Sequence, residues 1–202
     1  MTDNFAHRAS SWDNPSKIDM TDKFLSAMFQ KITPQKNWKA LEIGAGTGLV
    51  GFQVLPSIDC LVFEDTSEAM LDVLMQKLDG DENVEIVHGE IFDYKKQDID
   101  LIFSSMAFHH IQDIHAAVNH LYHITKPGGT VVIGDIRTED GSFHHFEPIP
   151  HKGFDTDELS DMFTLAGFKV QSADTYNILQ RERTPGQIGE YEQFLLIAKK
   201  DN

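Results

Sequence analysis

Short, almost continuously apolar runs alternate with segments of helical apolar spacing along most of this chain, and that alternation leaves few folds open to it. Residues 38–43 make the first run, which ends in the glycine cluster Gly44-Ala-Gly46-Thr-Gly48 before a helical pattern continues through Val50 and Phe52 to Pro56. Residues 60–64 read as a second strand, and Ser67 caps a helix whose Ala69, Met70, Val73, Leu74 and Leu78 share a face as far as Asp79-Gly80. Two more strands follow at 84–87 and 99–103, then a helix from Asp113 to Lys126 stopped by Pro127-Gly-Gly129, then a fifth strand over 130–134. Strands apolar on both faces, each followed by a helix, imply a parallel sheet covered on both sides. Two later runs, 168–171 and 193–198, have no obvious helix between them and read as an antiparallel pair. The expected fold is α/β: a Rossmann-like, doubly wound, seven-stranded sheet, mostly parallel with an antiparallel last strand.

The ends of the chain carry their own signals. Asn14-Pro15 reads as a helix cap followed by proline at the first helical position, and Ile18, Phe24, Leu25, Met28, Phe29 and Ile32 recur at helical spacing, which predicts a helix of about four turns. Residues 138–154 are turn-rich and resemble neither helix nor strand, while Asp155 with Glu158 opens a helix that closes at Ala166-Gly167.

Composition narrows the function. The 202 residues carry 32 Asp and Glu against 17 Lys and Arg, a net charge of −15, and the densest basic runs are the pairs Lys95-Lys96 and Lys199-Lys200. Such a surface repels polyphosphate chains, so no nucleic-acid partner is expected and a small molecule is favoured. The single Cys60 excludes an intrachain disulfide and any cysteine-anchored zinc ribbon. Neither a signal peptide nor an apolar run of membrane-spanning length is visible, so a cytoplasmic location is the expectation; a monomer or homodimer is expected.

In an open α/β sheet, ligands bind beyond the carboxyl ends of the strands. Glycines at 44, 46 and 48 let the backbone turn sharply and approach a ligand there. A dinucleotide fingerprint begun at Gly44 needs glycine where this chain has Leu49; the shifted frame Gly46-Thr-Gly48-Leu-Val-Gly51 fits the spacing but starts two residues late. Glu64-Asp65 follows about 20 residues on, the separation at which a carboxylate accepts from ribose hydroxyls, although Asp65 could equally cap the next helix with Ser67.

Leu41-Glu-Ile-Gly-Ala-Gly-Thr-Gly48, Phe63-Glu-Asp65-Thr-Ser67-Glu-Ala-Met-Leu71, His88-Gly-Glu90-Ile91, Asp100-Leu-Ile-Phe-Ser-Ser105 and Thr125-Lys-Pro-Gly-Gly129 together resemble the ordered motifs of class I S-adenosylmethionine-dependent methyltransferases. Phe5-x-x-Arg8-Ala9-x-x-Trp12-Asp13 and residues 151–168 are similar to the small bacterial members akin to ubiquinone/menaquinone-biosynthesis C-methyltransferases. The resemblance implies S-adenosylmethionine as cofactor, with S-adenosylhomocysteine as product. It implies that Gly44, Ala45, Gly46 and Gly48 make room for the methionyl part and that Glu42 holds its amino group. Asp65, with Thr66 beside it, would bind the ribose; Met70 would pack on the adenine ring, and Glu90 with the Ile91 amide would read its edge. Ser104 and Ser105 would sit beside the methionyl amine and the transferable methyl. Metal-dependent catechol-type members have an acidic pair at that place, so no metal ligand is assigned. The implied organisation is one domain, 1–202, with a cover segment and helix (1–36), a cofactor-binding core (37–136) and a substrate-side loop, helix and strands (137–202).

Eight of ten histidines lie between 109 and 151. His115, His120 and His123 fall on the predicted 113–126 helix, where solvated or helix-capping roles suffice. His109-His110 follow the fourth strand and His144, His145 and His151 the fifth, so both groups can face one cleft; His109, or else His144 or His151, is the candidate to deprotonate or orient an acceptor. His144, His145 and His151 with Asp135 make an alternative metal set, and residues 143–146 resemble a lid. Trp12 and Arg8 either drape over the cofactor, with Arg8 pairing with its carboxylate, or simply pack down the terminus. A small-molecule methyltransferase, a nicotinamide-dependent oxidoreductase and a noncatalytic cofactor-binding protein are the functions left open.

Overall fold

The computed structural model describes residues 6–80 and 83–202; Phe5 of the N-terminal pattern lies outside them. The strands are β1 (Lys39–Ile43), β2 (Cys60–Asp65), β3 (Val84–His88), β4 (Ile99–Ser105), β5 (Thr125–Ile136), β6 (Phe168–Thr184) and β7 (Gln187–Lys200). They form one sheet in the order β3-β2-β1-β4-β5-β7-β6, with β7 antiparallel to both neighbours and the other pairings parallel, as the alternation predicts. The order reverses between β1 and β4, which opens a crevice at their carboxyl ends.

Helices cover both faces. α1 (Pro15–Lys31), α2 (Gly51–Val54) and α3 (Glu68–Met75) lie on one side, where Phe24, Met28, Val54, Leu71 and Leu74 pack with Leu61, Phe63, Leu101 and Phe103. α4 (Ile114–Ile124) and α5 (Thr156–Leu165) cover the other, where Val118, Leu121, Leu159 and Phe163 meet Leu41, Ile102 and Val131. Side chains of a strand alternate between faces, so a strand buried on both must be apolar throughout, as β1, β2 and β4 nearly are. The caps follow local chemistry: Asn14 accepts from the amides of Ser16 and Lys17, Ser67 from Met70, Asp113 from Ala116, and Asp155 from Asp157 and Glu158.

Several bounds differ from expectation. The helix after the glycine turn is one α-turn followed by a 3-10 turn, Leu55–Ser57, because Pro56 removes a donor. α3 stops at Met75, short of Asp79-Gly80. β5 begins at Thr125, and Pro127 is accommodated by a register shift opposite Ile99–Leu101. Residues 6–11, without apolar periodicity, form a 3-10 helix packed against α3. β6 and β7 are far longer than their apolar cores and form a hairpin turned at Pro185-Gly186; β5 pairs only as far as Gln193, so the outer half of the hairpin projects past the crevice edge. Among the described residues no helix is long and apolar enough to cross a membrane.

Candidate active site

The turn after β1 sets one end of the crevice. Gly44 has φ +65°, and a Cβ there would stand 2.3 Å from Cβ of Ala107 in the loop after β4; Gly46 has φ +56°. Only glycine brings the two loops this close in that conformation. The turn is held by carboxylates: Gly44 N donates to Oε2 of Glu64 (3.2 Å) and Gly46 N to Oδ2 of Asp65 (2.7 Å), while Ala45 N donates to the Glu64 carbonyl (2.8 Å). Asp65 Oδ1 also accepts from Ser67 N at 2.8 Å, so the residue does join the cap of α3 while facing the turn.

Glu42 is 3% exposed, accepts from the Gly51 amide, and keeps a buried Oε2 with no hydrogen-bond partner among the described residues. Burial pushes the carboxyls of Glu42 and Glu64 well above the usual carboxylate range, and the charge of Asp65 adds to both. Neither meets a cationic side chain among the described residues. A ligand bringing positive charge and hydroxyl donors to this pocket would satisfy Oε2 and let the carboxyls ionise. These carboxyl acceptors therefore suit the ammonium and ribose hydroxyl groups of S-adenosylmethionine.

A cover lies over the turn. Trp12 is half-buried, and its Nε1 is 3.7 Å from where a Cβ on Gly46 would be. Asp13 joins the Thr47 hydroxyl to Lys77, whose Nζ also donates to the Thr47 carbonyl at 2.7 Å. Lys17 Nζ sits 4.2 Å from the Trp12 ring centre, and burial, aided by Arg181 and Arg8, lowers its pKa to about 8. Arg8 itself is exposed and donates to His7 (3.1 Å).

The remaining candidates spread along the crevice. Thr66 is exposed beside Asp65, and Met70 is buried on α3. Glu90 and Asp93 cap the 3-10 turn Ile91–Asp93 reciprocally, with Glu90 N donating to Asp93 at 2.9 Å. Ser104 and Ser105 lie within β4 instead of after it; Ser104 is wholly buried and donates to the Ile43 carbonyl (3.3 Å), which directs its hydroxyl into the sheet.

Beyond Ala107 the crevice becomes imidazole-rich. His109 and Asp135 are both buried; Nδ1 of His109 is 2.7 Å from Oδ1 of Asp135, and His109 N donates to Oδ2 at 3.1 Å. The carboxylate holds Nδ1–H and turns Nε2 away from itself. That Nε2 is 3.2 Å from Nε2 of His144. Burial, with His109 next, lowers His110 to about 3 and His144 to about 4, so both are neutral imidazoles near pH 7. His145 instead turns outward to Arg181 (3.5 Å), and His151 stacks on Phe154 (5.5 Å between centres) with its amide on the His109 carbonyl (3.3 Å). His120 bonds the Tyr94 carbonyl (2.9 Å) and His123 bonds Gln97 (2.8 Å), structural roles away from the crevice. The placement of His109-His110 after one strand and His144 after the next points to this cluster from sequence, whereas the pairing of Asp135 with His109 and the places of Lys17, Arg181 and the Asp13–Thr47–Lys77 clasp carry no sequence signal.

Residues 41–131 match a family model described as a methyltransferase domain. A demethylmenaquinone methyltransferase of Clavibacter sepedonicus is 28% identical over 175 residues, covering 81% of this chain and 69% of that protein. A malonyl-[acyl-carrier protein] O-methyltransferase of Ilyobacter polytropus is 30% identical over 136 residues, covering 63% of this chain and 48% of the other. Among solved structures, a chain from the complex of the Haloferax volcanii Trm112 methyltransferase activator with a methyltransferase superposes with a TM-score of 0.83 at 18% identity over 100% of both chains, which shows the same fold.

Proposed function

From its place among the class I S-adenosylmethionine-dependent methyltransferases, the family to which this chain belongs, we propose that it methylates a small-molecule acceptor seated at the histidine end of the crevice. The observation that carries this reading is the buried carboxyl cluster of Glu42, Glu64 and Asp65 beside the left-handed glycine turn, with Glu42 Oε2 lacking a partner and meeting no cationic side chain among the described residues.

S-adenosylmethionine supplies an activated methyl group on its sulfonium sulphur, so the protein's work is to hold the two reactants in line and keep water out. Glu42 and Asp65 take the amino and ribose groups, Gly44 to Gly48 give the methionyl chain room, and Thr66, Met70, Glu90 and the Ile91 amide line the adenine side. Trp12 closes over the turn, and Arg8, in the same cover segment, would pair with a ligand carboxylate. The loop after β4 joins the two ends: its Ala107 approaches the turn, and His109 two residues on would offer its Nε2, which it shares with His144, to an acceptor O–H or N–H. His144 stands across from it, and His151 supports the same wall. The two relatives are named for demethylmenaquinone and malonyl-[acyl-carrier protein], unlike acceptors on one scaffold, so this chain's acceptor is defined by its own histidine wall.

Calorimetric titration with S-adenosylhomocysteine, beside NADH at equal concentrations, tests the reading. Micromolar binding of the former alone is expected, and Asp65→Ala should lose roughly 1–3 kcal/mol of it, the scale of a hydrogen bond to a charged group. Binding of NADH, or full affinity in the variant, would overturn the assignment.

A further inference from the structure

His109, His110 and His144 stand closer to one another than proton acceptors need to. Each offers one ring nitrogen, and the three nitrogens lie within 4.8 Å of one another. The ring centres are 4.2, 4.9 and 5.4 Å apart, so the imidazoles surround one point instead of stacking in a row. The 3.2 Å between Nε2 of His109 and Nε2 of His144 is close to the separation of about 3.3 Å that two imidazole ligands have on a tetrahedral ion with bonds near 2.0–2.1 Å. Asp135 holds Nδ1–H of His109 at 2.7 Å, the outer carboxylate that fixes the tautomer of a metal-bound histidine and aims its other nitrogen at the ion. Nδ1 of His144 is buried with no protein partner, so among the described residues His109 is the only protein group bonded to a nitrogen of that ring.

We propose that His109, His110 and His144, backed by Asp135, form a binding site for a divalent transition-metal ion. The set weighed from the sequence, His144, His145 and His151 with Asp135, is not the one the fold assembles: His145 faces Arg181 and His151 stacks on Phe154. An all-imidazole donor set suits zinc, cobalt, nickel or ferrous ions and not the oxygen-seeking magnesium or calcium. Three protein ligands leave a fourth position open toward the crevice. The inference rests on the methyltransferase reading only for its use: an acceptor group that would otherwise hydrogen-bond Nε2 of His109 would bind the ion instead, beside the methyl donor.

Chelator-treated and dialysed protein titrated with Co²⁺ tests the site without requiring turnover. One Co²⁺ per chain is expected, with the strong visible absorption of a low-coordinate nitrogen site, displaced by Zn²⁺. His144→Ala and His110→Ala should each weaken Co²⁺ binding at least tenfold, and Asp135→Asn about 10–100-fold. His115→Ala, on the exposed side of α4, should leave it unchanged. Protein that binds S-adenosylhomocysteine but takes up no stoichiometric Co²⁺, or binding as tight in both histidine variants as in the parent, overturns the metal site and leaves the methyltransferase reading intact. Co²⁺ uptake without S-adenosylhomocysteine binding supports the metal site and overturns the cofactor assignment.

Discussion

Glu42 is the residue that most exposes the conflict between stability and binding in this chain. Its carboxyl is buried, receives one backbone amide and leaves Oε2 without a partner, so the folded, ligand-free protein favours its protonated form. A carboxyl whose folded pKa lies above its unfolded value contributes stability that is complete below the unfolded pKa and is lost as pH rises through the folded one. Desolvation, then repulsion from Asp65, sets that direction for Glu42 and for Glu64 alike. Glu42→Gln removes the ionisation while keeping the shape. It should raise the melting temperature of ligand-free protein more at about pH 8 than at about pH 5, by a margin of about 2–4 °C, the scale of 1 kcal/mol in a chain this size. The same variant should bind S-adenosylhomocysteine more weakly. Equal shifts at the two pH values would mean that the parent carboxyl is not held above its ordinary range.

Among the elements, the β6–β7 hairpin stands apart because half of it has no third strand beside it. Its outer part is fixed by Tyr191, which is 5% exposed, packs edge-on against Phe143 at 5.2 Å and shares a 2.8 Å hydrogen bond with the Ser142 hydroxyl. Through Phe143 the hairpin bears on His144, whose ring is 4.8 Å away. Tyr191→Phe should cost about 1 kcal/mol in denaturant unfolding, one hydrogen bond, whereas Tyr191→Ala should cost about 3–5 kcal/mol through the lost aromatic packing. Equal costs would show that the ring does not anchor the hairpin. The length of this hairpin is illegible in the sequence for a physical reason: residues 173–184 are half-exposed and mostly polar, and their apolar members Ala173, Tyr176, Ile178 and Leu179 do not keep to the two-residue spacing that a covered strand shows. The five parallel strands and the caps at Asn14, Ser67, Asp113 and Asp155 are legible because each follows from local apolarity or local hydrogen bonding. The site divides the same way. The glycine turn and Asp65 sit in contiguous motifs, but the histidine wall is assembled from the loops after β4 and β5, and its carboxylate, Asp135, belongs to a strand and was not matched to His109 by any spacing.

At the scale of the whole molecule, the N-terminal segment makes the cofactor end of the crevice a two-sided site. Asp13 links the turn residue Thr47 to Lys77, just beyond α3, and Trp12 lies over Gly46 with Lys17 above its ring. The Asp13–Lys77 pair is about one-third exposed on both sides, so its intrinsic worth to folding is about 0–1 kcal/mol, and Asp13→Ala should barely move the unliganded melting temperature. Its leverage falls on the bound state. A ligand that binds only the folded form stabilises it by about 2.7 kcal/mol at 100 times its dissociation constant, about 5–10 °C in a chain this size. Parent protein should show that rise with S-adenosylhomocysteine. With the clasp released, the cover opens more often while the acidic pocket is intact, so the loss appears mainly as faster dissociation, the step in which affinity differences between related complexes usually lie. Stopped-flow displacement followed by the fluorescence of Trp12 should show S-adenosylhomocysteine leaving Asp13→Ala several-fold faster than the parent, with little change in the association rate. Identical release rates would mean that residues 6–14 pack against the site without gating it.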